Sequence, residues 1–159
     1  MKAMLLSVWI GALVGVMGCS NPVSVASNVT ENPQEILKNP PALEVSIGDI
    51  GVPARVSAQK WSYIDEKEQA TVTVEAETIA PVEMTDRAKG TAVATGTAVE
   101  LVFTREPKTY EFYQWNSTED RQGPFRNIQT SEESGKAVYE VVAEWEQGTA
   151  HYVFVVTVE

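Results

Sequence analysis

The chain has 159 residues, with 22 acidic and 12 basic side chains and a formal net charge of −10. This acidity argues against a nucleic-acid duplex as partner, which requires clustered Lys and Arg on one face, and against direct docking to anionic lipid. Because Cys19 is the only cysteine and the chain has one histidine, neither an internal disulfide nor a structural zinc site is expected.

The first 18 residues have the pattern of a secretory signal. Lys2 precedes an apolar run over residues 4–17, which is shorter than the roughly 20 residues that a membrane-spanning helix needs. The segment ends in Val-Met-Gly-Cys at residues 16–19, which resembles the lipobox of bacterial lipoproteins. We expect cleavage before Cys19 and acylation of its thiol, so that the acyl chains hold the protein at the extracytoplasmic face of the cell membrane.

Residues 19–41 are typical of a flexible tether. They are rich in Ser, Asn and Pro and hold few large apolar side chains, so burial cannot offset the entropy of ordering them. A flexible segment of about 21 residues spans on average about 25 Å. We expect the folded domain to occupy residues 42–159.

From residue 42 onward, apolar and polar side chains alternate with the period of half-buried strands. Glycines and prolines separate the alternating runs. These runs cover residues 42–47, 52–64, 70–77, 98–104, 109–115, 139–146 and 151–158. The last two predict a terminal hairpin around Gln147-Gly148, with the final strand inside the sheet because both its faces are apolar. About seven short strands predict a single all-β domain, an antiparallel β-sandwich.

The C-terminal third also resembles a known family. Its features are a glycine, a tyrosine-bearing strand, a tryptophan, a tight turn and a Tyr-x-Phe strand, at Gly135, Tyr139, Trp145, Gly148 and Tyr152-Val153-Phe154. This pattern is similar to the end of the immunoglobulin-like domains in small lipoproteins of Gram-positive bacteria. It departs from the immunoglobulin pattern because no cysteine pair bridges the sheets and Tyr139 comes four places after Gly135 instead of two. The resemblance implies an immunoglobulin-like sandwich at the cell surface, but no settled activity.

An aromatic strand supplies the candidate binding surface. Its members, with one ring from the following connection, are Tyr110, Phe112, Tyr113, Trp115 and Phe125. In a regular strand Tyr110 and Phe112 project opposite Tyr113 and Trp115, so one pair belongs to the core. The other pair is either covered by the connection over residues 116–136, with Phe125 packing back, or forms an exposed aromatic patch.

Metal and catalytic residues are harder to assign. Asn116, Thr118 and Asp120 place oxygen atoms at alternate loop positions and are weak calcium candidates, although Arg121 stands where an EF-hand needs glycine. Glutamates 140, 144 and 146 share one strand face, which is typical of a solvated surface. His151, the only imidazole, lies on a strand beside valines, and no Gly-x-Ser-x-Gly motif is present. We therefore assign no catalytic residue and no cofactor.

Three functional classes follow from these observations. The leading one is a lipid-anchored module that binds an envelope protein or polymer through its loops or a sheet face. The second is a calcium- or small-ligand-binding accessory subunit of a sensor or transporter. The third is a hydrolytic enzyme, which a buried His151 contacting a carboxylate and a serine in a cleft would favour.

Overall fold

The alternating residues lie in β-strands in the structure, a computed structural model that describes residues 37–77 and 79–159. Cys19, the predicted signal segment and the predicted tether as far as residue 36 lie outside the described residues. The described residues form ten strands and one short helix. In chain order these elements are β1 (Leu43–Ile47), β2 (Ile50–Val52), β3 (Arg55–Asp65), β4 (Ala70–Ala76), α1 (Pro81–Met84), β5 (Thr91–Val93), β6 (Val99–Phe103), β7 (Thr109–Trp115), β8 (Arg121–Gln122), β9 (Gly135–Trp145) and β10 (Gly148–Val158).

The strands form two sheets. The smaller has the order β2-β1-β6, and the larger has the order β4-β3-β10-β9-β7-β8. The short β5 runs parallel to the end of β10, and the other strand pairs are antiparallel. The prediction of an all-β antiparallel sandwich is confirmed. The seven predicted runs correspond to the seven longer strands, whereas β2, β5 and β8 have only two or three residues, too few to show a period.

The core lies between the two sheets. From the smaller sheet, β1 buries Leu43, Val45 and Ile47, which belong to the same hydrophobic cluster as the buried residues of β9 and β10. The Phe103 ring of β6 crosses the interface, with ring centroids 5.7 Å from Trp145 and 5.9 Å from Tyr152, both edge-on. Such edge-to-face pairs contribute about 0.5–1.5 kcal/mol each beyond the area they bury.

The segment just before β1 packs against this core. The Leu37 carbonyl accepts hydrogen bonds from Trp61 Nε1 at 2.8 Å and from the Gln147 side-chain amide at 2.9 Å. The Pro41 carbonyl accepts one from the Tyr152 hydroxyl. Residues 37–41 have the composition of the predicted tether, but the carbonyls of Leu37 and Pro41 accept hydrogen bonds from side chains of the core. The folded part of the chain therefore includes Leu37.

The larger sheet has an outer face that the smaller sheet does not cover. The segment around α1 shelters part of this face, with Pro81 and Thr85 buried. Lys136 Nζ on β9 donates to the carbonyls of Thr85 and Asp86, which fastens the segment to the sheet. Among residues 37–77 and 79–159, no helix is long and apolar enough to cross a membrane.

Candidate functional site

Strand β7 distributes the predicted aromatic residues over both sheet faces. Phe112 is 2% exposed in the core and stacks on Tyr139 with ring centroids 5.2 Å apart. Tyr110 lies on the same face at the rim of the sandwich, where it is 43% exposed and 5.8 Å from the Phe103 ring. Tyr113 and Trp115 lie on the outer face, as the alternation of strand side chains requires. Phe112 therefore belongs to the core, and Tyr110 is exposed at its rim.

The outer-face rings are covered by an arginine. The Arg121 guanidinium lies 4.0 Å from the centroid of the Tyr113 ring and 5.8 Å from that of Trp115. Tyr113 is consequently only 8% exposed and Trp115 is half-buried. The sequence left a covered and an exposed arrangement open, and Tyr113 and Trp115 adopt the covered one. The cover comes from β8, since Phe125 does not pack over them and is 40% exposed.

Beside these rings lies a buried carboxylate, Glu140, which is 4% exposed. Its Oε2 accepts hydrogen bonds from Trp115 Nε1 at 2.9 Å and Arg121 Nη1 at 3.3 Å, and its Oε1 lies 2.8 Å from His151 Nδ1. Burial raises the pKa of Glu140, but the hydrogen bonds from His151, Trp115 and Arg121 more than offset this, so the pKa lies below its ordinary value of 4.5. The expectation that Glu140 belongs to a solvated row is wrong, because its neighbours on β7, β8 and β10 enclose it.

The pair formed by Glu140 and His151 has the geometry in which a carboxylate orients an imidazole. The His151 side chain is 32% exposed, so the imidazole is partly open to solvent. Ser57, which is buried, donates its hydroxyl to the backbone carbonyl of His151 at 3.3 Å and not to the ring. Within the described part of the chain, no serine or threonine hydroxyl hydrogen-bonds to this imidazole. A hydrolase would need His151 in contact with both a carboxylate and a serine hydroxyl. Among the described residues the carboxylate contact is present and the serine contact is not.

The calcium candidates lie in the turn that joins β7 to β8. The Asn116 side-chain amide donates to Asp120 Oδ2 at 2.9 Å, and the Asn116 backbone N–H donates to the Asp120 carbonyl. Ser117 Oγ accepts from the Asp120 N–H at 3.2 Å, and Thr118 is exposed at the tip. These hydrogen bonds close the turn on itself. Residues 37–77 and 79–159 contain no group of three His, Cys, Asp or Glu side chains that could hold a metal ion.

A further surface lies at the β7–β8 edge, on residues 123–132, which we call the Phe125 loop. Its first part is held by the Phe125 N–H, which donates to the Phe112 carbonyl at 2.9 Å. Gly123 has φ +122°, and a Cβ there would lie 2.9 Å from the same carbonyl, so this close approach requires glycine. At the other end, the buried Thr130 hydroxyl donates to the Ala94 carbonyl at 2.8 Å. The loop thus presents an exposed ring from a backbone fixed on both sides.

Two clefts flank the Phe125 ring. One, of about 380 Å³, also involves Tyr110 and Arg126. The other, of about 330 Å³, is lined by the amide side chains of Gln114, Gln122, Asn127 and Gln129 and by the carboxylate of Glu132. The Asn127 amide donates to Gln129 Oε1 at 2.8 Å, and the Gln129 amide donates to Glu132 Oε1 at 3.3 Å. Amides carry donors and acceptors together and the Glu132 carboxylate adds further acceptors, so this cleft suits polar groups that can donate hydrogen bonds.

No family model, no curated protein and no solved structure matches this chain. The fold defines the class, which is an antiparallel β-sandwich. Sandwiches host many unrelated functions, so the functional inference comes from the surfaces described above. Sequence reasoning named Phe125 and Tyr110, which are exposed, but it did not identify the amide-lined cleft, because its residues lie on separate elements.

Proposed function

We propose that the protein is a lipid-anchored extracytoplasmic binding module, whose Phe125 loop contacts a protein or polymer of the cell envelope. The signal pattern ending at Cys19 supports the anchor and the location. The observation that carries the binding role is the 40% exposed Phe125 ring on a loop whose backbone is fixed on both sides.

A fixed loop favours binding because little freedom is lost when a partner docks. Aromatic side chains are enriched in the central contacts of interfaces, where a few residues supply most of the binding free energy. Tyr110 adds a second exposed ring, and it lines one of the two clefts beside Phe125. The two rings and their clefts form a contact surface at one edge of the larger sheet.

The chemistry of this surface limits the partner. The net charge of −10 repels polyanions, and the amide-lined cleft offers amide donors and acceptors together with the Glu132 carboxylate. A partner that is not a polyanion, with hydrogen-bonding groups and an apolar face for the Phe125 ring, fits best. Both an envelope protein and a neutral envelope polymer have these properties.

A photoreactive amino acid at position 125, introduced in living cells, tests this role. We expect irradiation to capture a defined partner, seen as a discrete band for a protein or as a ladder for a polymer. The same amino acid at Ile64, which is 51% exposed on β3, is the control. Identical products from both positions, or no product from position 125, would contradict the proposal.

A further inference from the structure

A small cavity lies on a different part of the molecule, between the α1 segment and the outer face of β10. Its volume is about 140 Å³. Apolar groups form its walls, including Pro53, Met84, Ala88, Val153 and Val155. An apolar cavity of about 150 Å³ in another protein accepts benzene. The space therefore suits an apolar body of about that size.

Three of the polar residues that line this cavity have side chains without a hydrogen-bond partner in the described part of the protein. They are Arg55, Lys89 and Thr91. Within residues 37–77 and 79–159, none of these three side chains makes a hydrogen bond or an ion pair. Lys60, Lys108 and Arg121 form ion pairs with Glu75, Glu146 and Glu140. Arg55 and Lys89 are exposed cations, and what distinguishes them from other exposed cations is that both line this cavity. Two unpaired cations and a hydroxyl beside an apolar space form a setting for a negatively charged group.

The wall of the cavity is fixed in place. The buried Thr85 hydroxyl donates to the Pro81 carbonyl at 2.8 Å, and Lys136 Nζ binds the Thr85 and Asp86 carbonyls. Gly90 approaches β10 so closely that a Cβ there would lie 2.2 Å from the Val156 carbonyl carbon. Because these contacts already order the segment, the cavity exists before any ligand binds, which is typical of small-molecule sites.

We propose that this cavity binds a small organic monocarboxylate with an apolar body of about the size of a benzene ring. The body packs on Val153 and Met84, and the carboxylate accepts hydrogen bonds from Arg55, Lys89 and Thr91. A guanidinium matches the two oxygens of a carboxylate, which makes such hydrogen bonds strong. This site is separate from the Phe125 loop, so the proposal does not depend on the function proposed above. A site of this kind is what a small-ligand-binding accessory protein would have.

The test uses benzoate and its neutral analogue benzamide. Both are titrated into the processed chain, residues 19–159 with Cys19→Ala, while its backbone amide resonances are followed by NMR. We expect benzoate to shift the resonances of Thr91 and Val155 and to bind about 10- to 100-fold more tightly than benzamide, as charge-assisted hydrogen bonds predict. Equal affinities for the two compounds, or shifts confined to residues outside the cavity, would overturn the proposal.

Two kinds of variant test separately whether the cations contribute to binding and whether the ligand occupies the cavity. Arg55→Gln and Lys89→Gln should each weaken benzoate binding about tenfold, whereas Lys67→Gln, in the exposed turn after β3, should leave it unchanged. Ala88→Leu should abolish binding by filling the space while keeping both cations. Undiminished benzoate affinity in Ala88→Leu, with an otherwise native NMR spectrum, would show that the ligand does not occupy the cavity.

Discussion

At the scale of single residues, Glu140 shows how the outer face tolerates a buried charge. Removing a carboxylate from water is costly unless hydrogen bonds replace its hydration. Trp115, Arg121 and His151 supply these hydrogen bonds, each from a different strand. The charge of Glu140 thus joins β7, β8 and β10 to β9.

This arrangement makes folding stability depend on pH. Because the pKa of Glu140 is lower in the folded state than its ordinary value of 4.5, the folded state favours the ionised form. Its stabilising contribution is complete above that value and is lost as the pH falls through the folded-state pKa. We expect the free energy of unfolding, measured by urea denaturation, to decrease below about pH 4.5, and we expect Glu140→Gln to make this decrease shallower.

Glu140→Gln should also lower the free energy of unfolding by about 1–3 kcal/mol at neutral pH, because hydrogen bonds to a charged acceptor are replaced by weaker ones. Glu144→Gln is the matched control, because Glu144 lies four residues further along β9 on the same face and is exposed. It should change neither the neutral-pH stability nor the pH dependence. An unaltered acid transition in Glu140→Gln would mean that other carboxylates govern it.

At the scale of elements, the hairpin of β9 and β10 is the centre of the larger sheet. The two strands pair over 11 residues, and the opposite edge of β10 pairs with β3 and then with β5. The hairpin turn must therefore fit against β3 as well as join its own strands. Gly148 occupies this position, opposite Trp61 of β3.

Gly148→Ala should destabilise the domain by more than about 1 kcal/mol, because Gly148 has φ +150° and a Cβ would lie 2.0 Å from the Lys60 carbonyl oxygen. Denaturant unfolding measures the effect. Gly51→Ala in β2 is the control, since a Cβ there meets nothing within 4 Å, and it should change stability by less than about 0.5 kcal/mol. Equal losses in the two variants would show that the close approach to β3 is not what requires glycine.

At the scale of the whole molecule, the proposed location depends on one side chain, Cys19. Cys19→Ala removes the thiol to be acylated, so the protein should leave the membrane fraction or keep its signal segment. Membrane fractionation followed by mass spectrometry of the N-terminus distinguishes these products from the lipidated protein. Unchanged membrane retention of a processed Cys19→Ala chain would contradict the anchor.

The sequence alone was sufficient to predict the seven longer strands and the terminal hairpin. Alternation with a period of two is a local property, and it shows which face of each strand is apolar. The same reasoning shows that Phe112 and Tyr113 lie on opposite faces of β7, but it does not show which rings are covered. Lipidation of Cys19 is likewise a sequence prediction, and it remains one.

Tertiary structure decided which polar and aromatic residues are buried. Glu140 has the same local pattern as Glu144, yet it is enclosed because Arg121 and Trp115, 19 and 25 residues earlier in the chain, converge on it. The hydrogen bond from Trp61 to the Leu37 carbonyl and the cavity beneath α1 are likewise formed by segments that are far apart in the sequence. Such contacts depend on how strands are ordered and how connections return to the sheet, and alternation along a single strand contains no information about either.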